Sequence, residues 1–124
     1  MRSKFRMALP LMFIAPSFGY AEVGKFTCSF PNLHSFDEVR MLKSESFVLK
    51  FTFDTATGDA FLEGNVGITP VMLVKGDRGL TFLEHLLSGG VQTTTIALDG
   101  KAVHSRHTII GSQLAPSQYY GSCD

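Results

Sequence analysis

Between Ser46 and Asp54 the side chains alternate with period two. Phe47, Leu49, Phe51 and Phe53 share one face of an extended strand, while Ser46, Lys50, Thr52 and Asp54 share the other, with Val48 the lone apolar residue on the polar side. Successive strand residues point to opposite faces. Four large apolar side chains on one face therefore require a core, and the opposite face is solvated. A sheet wet on one side is antiparallel rather than the doubly covered parallel kind.

The same alternation recurs along the chain, broken by turn chemistry every 8–12 residues, which is the pattern of an all-β domain. Lys25 to Phe30 opens it. Asp54-Thr55-Ala56-Thr57-Gly58 turns the chain into Asp59–Glu63, and Gly64-Asn65 turns it into Val66–Lys75. Inside that strand Pro70 removes a ladder donor, and the apolar positions change parity from Val66 and Ile68 to Val71 and Leu73, so an edge position or a bulge is expected there. Lys75–Gly79 leads to Leu80–Leu87, Ser88-Gly89-Gly90 to Val91–Leu98, and Asp99-Gly100, a strong hairpin signal, to Lys101–Ile110. A last strand, Ser117–Cys123, follows a Gly111–Pro116 loop.

Eight sequential strands with short turns form an antiparallel meander whose first and last members can pair, which closes a small barrel in the style of the lipocalins. A two-layer β-sandwich satisfies the same pattern. The one long connection, Pro31 to Ser44, contains Ser35-Phe36-Asp37-Glu38, a capping box that predicts a short helix over 36–42.

The N-terminus carries a different signal. Arg2, Lys4 and Arg6 precede an apolar run, Met7 to Ala15; Pro16 breaks it, and Gly19-Tyr20-Ala21 supplies small residues at the positions a signal peptidase reads. Residues 1–21 thus read as a secretory signal peptide and 22–124 as a single β domain, with no membrane span after cleavage. An exported domain belongs in the bacterial periplasm or outside the cell. Three of the eleven basic residues leave with the leader, so eight basic residues face eleven acidic ones in the mature domain. They are scattered singly, and nucleic acid is not expected as a partner, because phosphate binding wants a clustered basic face. Export also places Cys28 and Cys123 in an oxidising compartment, where their single pairing is a staple rather than a redox pair.

Register defines the candidate site. A two-residue turn at Asp99-Gly100 pairs Ile96 with Val103, Thr94 with Ser105 and Gln92 with His107; a three-residue loop at Ser88–Gly90 pairs Glu84 with Thr94 and Phe82 with Ile96. On that register Glu84, Gln92, Thr94, Ser105 and His107 share the core face at one end of the sheet, as candidate ligand-binding residues in a barrel mouth. A hydrogen-bonded polar layer at the barrel end fits the same residues, and a slip of one residue sends them to solvent. His104 is expected outside with Arg106 and Thr95, since a spacing of three on a strand parts it from His107. No cluster has zinc spacing, and no metal or other cofactor is expected. Ser105, His107 and Glu84 are the residue types of a hydrolytic triad, but without a Gly-x-Ser-x-Gly elbow or in-line geometry they assign no catalytic residue.

Phe-Thr-Cys-Ser-Phe at 26–30, Ser-Arg-His-Thr-Ile-Ile at 105–110 and Ser-Gln-Tyr-Tyr-Gly-Ser-Cys at 117–123 resemble a loose group of small exported bacterial β-rich proteins with a cysteine near each end. The group carries no assigned activity, so the resemblance transfers no functional residue and implies only a periplasmic setting. The expected function is a non-enzymatic binding module for a small amphipathic ligand or a protein partner. The alternatives are an envelope structural or interaction protein without a pocket, with an apolar patch or open edge near Pro70, and a small hydrolase.

Overall fold

The computed structural model describes residues 23–35, 39–41, 47–64 and 67–124. The leader read over residues 1–21 lies outside the described residues. Among the described residues nine strands follow in order: β1 (Val23–Ser35), β2 (Val39–Met41), β3 (Phe47–Asp54), β4 (Asp59–Gly64), β5 (Gly67–Lys75), β6 (Gly79–His85), β7 (Val91–Ala97), β8 (Lys101–Ile110) and β9 (Gln113–Cys123). All pairings are antiparallel, and β1 pairs with both β3 and β9. Eight strands, β1 and β3 to β9, therefore close into a barrel, and the two-sheet sandwich is excluded. β2 is an extra three-residue strand on the β1 edge that β3 leaves free: Phe30 is the last residue to pair with β3, and Asn32 to His34 pair with β2. This corrects the helix expected over 36–42. Val39–Met41 pair with β1 as a short edge strand, and residues 36–38 and 42 lie outside the described residues.

Closure depends on a bulge. Ser29 pairs with Ser122 and Asn32 with Tyr120, so Phe30 and Pro31 together face Gly121. The extra residue lets Cys28, Phe30 and then Leu33 all point inward, where a regular strand would turn Leu33 out. Gly121 is needed for this approach, since a Cβ there would stand 1.8 Å from the Ser29 carbonyl oxygen. Next to the bulge the Cys28–Cys123 disulfide joins directly opposed residues with Cα atoms 4.0 Å apart.

The alternation expected for β3 holds: Leu49, Phe51 and Phe53 are buried, and Phe47 packs on the core from its inner face. The interior is filled with rings and aliphatic side chains. Phe51 stacks on Phe82 with centroids 4.3 Å apart, Phe26 stacks on Phe53 at 5.6 Å, and Leu80, Ile96 and Ala102 close the remaining wall. An eight-stranded barrel is just wide enough for such side chains to fill it.

Pro70 does not form a bulge. The β4–β5 ladder runs unbroken through the Phe61–Pro70 pair, and the apparent parity change arises because Ile68 faces solvent while Thr69, Val71 and Leu73 face inward. Alternate residues of an antiparallel strand address alternate neighbours. An unbroken ladder to β4 therefore leaves the Pro70 nitrogen on the β6 side, where it cannot donate. Pairing with β6 accordingly begins only at Met72, and Pro70 lies on a locally open edge. At the other end of the domain β9 is longer than expected. A two-residue turn at Gly111-Ser112 pairs Ile110 with Gln113, so the stretch read as a Gly111–Pro116 loop is mostly strand.

Candidate functional site

Two hairpin loops set which residues enter the barrel. The loop between β6 and β7 is three residues long, but it is Leu87-Ser88-Gly89, one residue earlier than expected; Leu86 and Gly90 close it, with the Gly89 N–H donating to the Leu86 carbonyl. Moving both ends by one shifts the pairing by two and preserves parity, so Glu84 faces Gln92 and Phe82 faces Thr94. The loop between β7 and β8 is also three residues, Leu98-Asp99-Gly100, where two were expected. Gly100 N–H donates to the Ala97 carbonyl, Lys101 N–H donates to the Asp99 carboxylate, and Gly100 sits at φ 88°. Asp-Gly serves a tight two-residue turn and a three-residue loop ending in a left-handed glycine equally well. The second form is adopted here, and it slips β8 by one residue.

This slip exchanges the two faces of β8. Thr94 pairs with His104 and Gln92 with Arg106, in place of Ser105 and His107. His104 and Arg106 share a face as expected, but that face is the interior, and Thr94 rather than Thr95 accompanies them. Thr95 is outside, bonded to Thr81 at 2.8 Å. Ser105 lies on the outer wall, where it accepts a hydrogen bond from Gln118 Nε2 at 3.0 Å, and Gln118 in turn accepts one from the Tyr120 hydroxyl. His107 is exposed opposite Pro116. Of the five candidates, the structure brings together Glu84, Gln92 and Thr94, and it leaves Ser105 and His107 on the far side of the barrel wall. Glu84 is thereby separated from both partners of the considered triad, Ser105 and His107.

Inside, four side chains on β6, β7 and β8 form one chain of hydrogen bonds. Thr94 Oγ1 and His104 Nδ1 are 2.7 Å apart, His104 Nε2 and Gln92 Oε1 are 3.0 Å apart, and Gln92 Nε2 donates to Glu84 Oε1 at 3.4 Å. The chemistry of the partners fixes the direction. A carboxylate accepts, so the Gln92 amide nitrogen faces Glu84 and its oxygen faces His104. That oxygen can only accept, so Nε2 of the imidazole carries a proton; in the neutral ring Nδ1 is then an acceptor, and the Thr94 hydroxyl donates to it. This arrangement requires a neutral imidazole. His104 is 1% exposed and surrounded by the rings of Phe30, Phe47 and Tyr119 at 5.9, 5.4 and 5.8 Å. Burial, reinforced by the Arg106 guanidinium, lowers its pKa to about 4.

Above this layer Glu84, Gln92, Arg106 and Ser117 follow one another across β6, β7, β8 and β9. All four are partly buried, and they form a polar row over the aromatic core at the barrel end that carries the β6–β7 and β8–β9 turns. The Arg106 Nε is buried without a hydrogen-bond partner among the described residues. Sequence reasoning missed His104 and Arg106. The available signal was the Leu-x-Gly form shared by the two loops, which places both residues inside once each loop is given three residues.

The outer wall differs in character. Along β5, Ile68, Pro70, Met72 and Val74 are exposed, with Phe61 of β4 beside Pro70, so an apolar stripe runs next to the open edge. Compared with models of known families and with curated proteins, the sequence finds no match in either.

Proposed function

We propose that this protein is an exported, non-enzymatic binding module whose ligand is received at the polar mouth of the barrel, by Glu84, Gln92 and Arg106 above the Thr94–His104 layer. The observation that carries this reading is the polar row itself. Two charged residues of opposite sign and an amide line the inner face at one end of the barrel, above the Thr94–His104 layer and the packed apolar core, where small ligands are commonly received. The packed rings below limit the ligand to the mouth, so an amphipathic molecule presents its polar end there and keeps its apolar part outside the core. A bacterial periplasmic or secreted location accompanies the proposal; the leader pattern supports it, and the Cys28–Cys123 disulfide is compatible with it.

Native mass spectrometry of the protein purified from its exported compartment tests the reading. A small-molecule adduct is expected that disappears in Gln92→Leu and persists in His107→Leu, with both variants folded. An adduct-free protein, or an adduct indifferent to Gln92→Leu, overturns it.

A second reading rests on the outer stripe. Ile68, Met72, Val74 and Phe61 form the exposed apolar surface that an interaction protein without a pocket would use. It expects an oligomer or partner complex on size-exclusion chromatography that Met72→Asp dissociates, and a monomer in both cases refutes it.

A further inference from the structure

Arg106 stands in an unusual position for an arginine. Its register, between Gln92 on β7 and Ser117 on β9, turns it into the barrel, and it is half-buried there. Its Nε is buried and has no hydrogen-bond partner among the described residues. A buried donor left unmade costs roughly 1–3 kcal/mol, and more when the group is charged. The nearest inward carboxylate in the row, Glu84, lies two strands away, about 10 Å at ordinary strand spacing, and is engaged by Gln92. His104 beneath presents its Nε2–H to Gln92 and its Nδ1 to Thr94, so neither ring atom serves the guanidinium. The other ionisable group packed on His104, Tyr119, belongs to the aromatic layer.

We infer that Arg106 is an oxyanion receptor: the ligand of the mouth carries a carboxylate or a phosphate ester, and once the half-buried side chain turns its Nε edge towards the mouth, two of the ligand's oxygens pair with Nε and a terminal nitrogen of the guanidinium. The planar fork of arginine matches both groups in this two-point mode, which a lysine cannot reproduce. Such a group satisfies the donor that the protein leaves unpaired. Glu84 then sets the orientation, because it repels the anionic end towards the β8–β9 side of the mouth. The inference rests on the proposed binding function and gives it a ligand class.

The test uses the oxidised protein without its leader, 15N-labelled so that the Arg106 Nε–Hε and Gln92 side-chain signals are visible by NMR. It is titrated with propionate, with methyl phosphate, and with propionamide as the neutral counterpart of propionate, at ionic strength matched with sodium chloride. At least one oxyanion is expected to move the Arg106 Hε signal saturably, with propionamide and chloride inert, and the preferred probe separates a carboxylate from a phosphate ligand. Arg106→Gln is expected to weaken binding at least tenfold, and Arg106→Lys to restore only part of it. Glu84→Gln is expected to strengthen it about two- to fivefold, which a purely structural role for Arg106 does not predict. Far-ultraviolet circular dichroism and a dispersed amide spectrum like that of the unsubstituted protein show that each variant is folded. Oxyanions that leave Arg106 Hε unmoved, or bind Arg106→Gln equally well, overturn the inference. If propionamide alone moves Gln92 and Thr94, the mouth remains a binding site and only the anion assignment falls; if no probe moves the mouth, both fall.

Discussion

Acid should weaken this fold through His104 before it protonates most carboxylates. The imidazole titrates near 6.5 when unfolded and near 4 in the barrel, so between these values the unfolded chain binds a proton that the folded chain refuses. Stability from this group is complete above pH 6.5 and is lost as the pH falls towards 4. Each pH unit in that window costs about 1.4 kcal/mol, which gives about 2 kcal/mol lost by pH 5 and about 3 kcal/mol by pH 4. The loss has a structural meaning. An imidazolium donates from both nitrogens, so protonation at Nδ1 sets it against the Thr94 hydroxyl, which must then rotate, and adds a second positive charge beside Arg106 within a ring of three aromatic side chains. Among the described residues only Glu84, reached through Gln92, offers compensation.

Urea unfolding followed by far-ultraviolet circular dichroism, at pH 7.5, 6, 5 and 4.5, measures the effect. The chain has no tryptophan, so backbone ellipticity is the better probe. With a denaturant slope of roughly 1–2 kcal/mol/M, the midpoint is expected to fall by about 1–2 M between pH 7.5 and 5. His104→Gln is expected to be less stable at pH 7.5 and to show a flatter curve across the same window. An NMR titration of the His104 ring reads the folded value directly. Parallel pH curves for the two proteins, or a folded His104 that titrates near 6.5, refute the reasoning.

Two further outcomes follow from barrel closure. Replacing Cys28 and Cys123 with alanine opens a loop of 95 residues and is expected to cost up to about 4–5 kcal/mol, read as a lowered unfolding midpoint; intact mass under non-reducing conditions should show two hydrogens fewer than the dithiol, and two free thiols would remove the basis of the estimate. Gly121→Ala pushes a methyl group into the Ser29 carbonyl and the Phe30 Cα, so a loss of about 3 kcal/mol or more is expected, while Gly64→Ala, with open space around its Cα, should stay within about 0.5 kcal/mol; equal stability of the two variants contradicts the bulge account.

What the sequence revealed depended on contrast between the two faces of each strand. In β3 one parity is Phe, Leu, Phe, Phe and the other mostly polar, so only one orientation buries the apolar set, and the barrel follows it. In β8 the alternatives are Ala102, His104 and Arg106 against Val103, Ser105 and His107. These sets carry similar polarity, and local hydrophobicity cannot choose between them. The choice passes to the turn, and Leu98-Asp99-Gly100 admits two lengths. At Pro70 the edge alternative holds and the bulge alternative fails for a related reason: Ile68 is exposed, so its parity does not mark a core face, and the β4 ladder runs unbroken. The clasp between Cys28 and Cys123 needed no register at all, since only one pairing was available.

Register and candidate site are therefore one physical question. If β8 moved by one residue, His104 and Arg106 would leave for solvent and Ser105 and His107 would enter, with no neutral ring to bridge Gln92 and Thr94. Two kinds of contact hold the observed alternative. The hydrogen bonds from Glu84 to Thr94 tie β6, β7 and β8 together from the inside. From the backbone side, Gly90 lies so close to the His107 carbonyl that a Cβ there would be 2.0 Å from its oxygen, which admits β8 at this position only against a glycine. A buried polar network is a costly way to fill a barrel unless every member is satisfied. Here the members that fix the register, His104, Gln92 and Thr94, are satisfied by one another. The adjoining Arg106 Nε plays no part in that network and has no hydrogen-bond partner among the described residues; it is the donor that the proposed oxyanion ligand would satisfy.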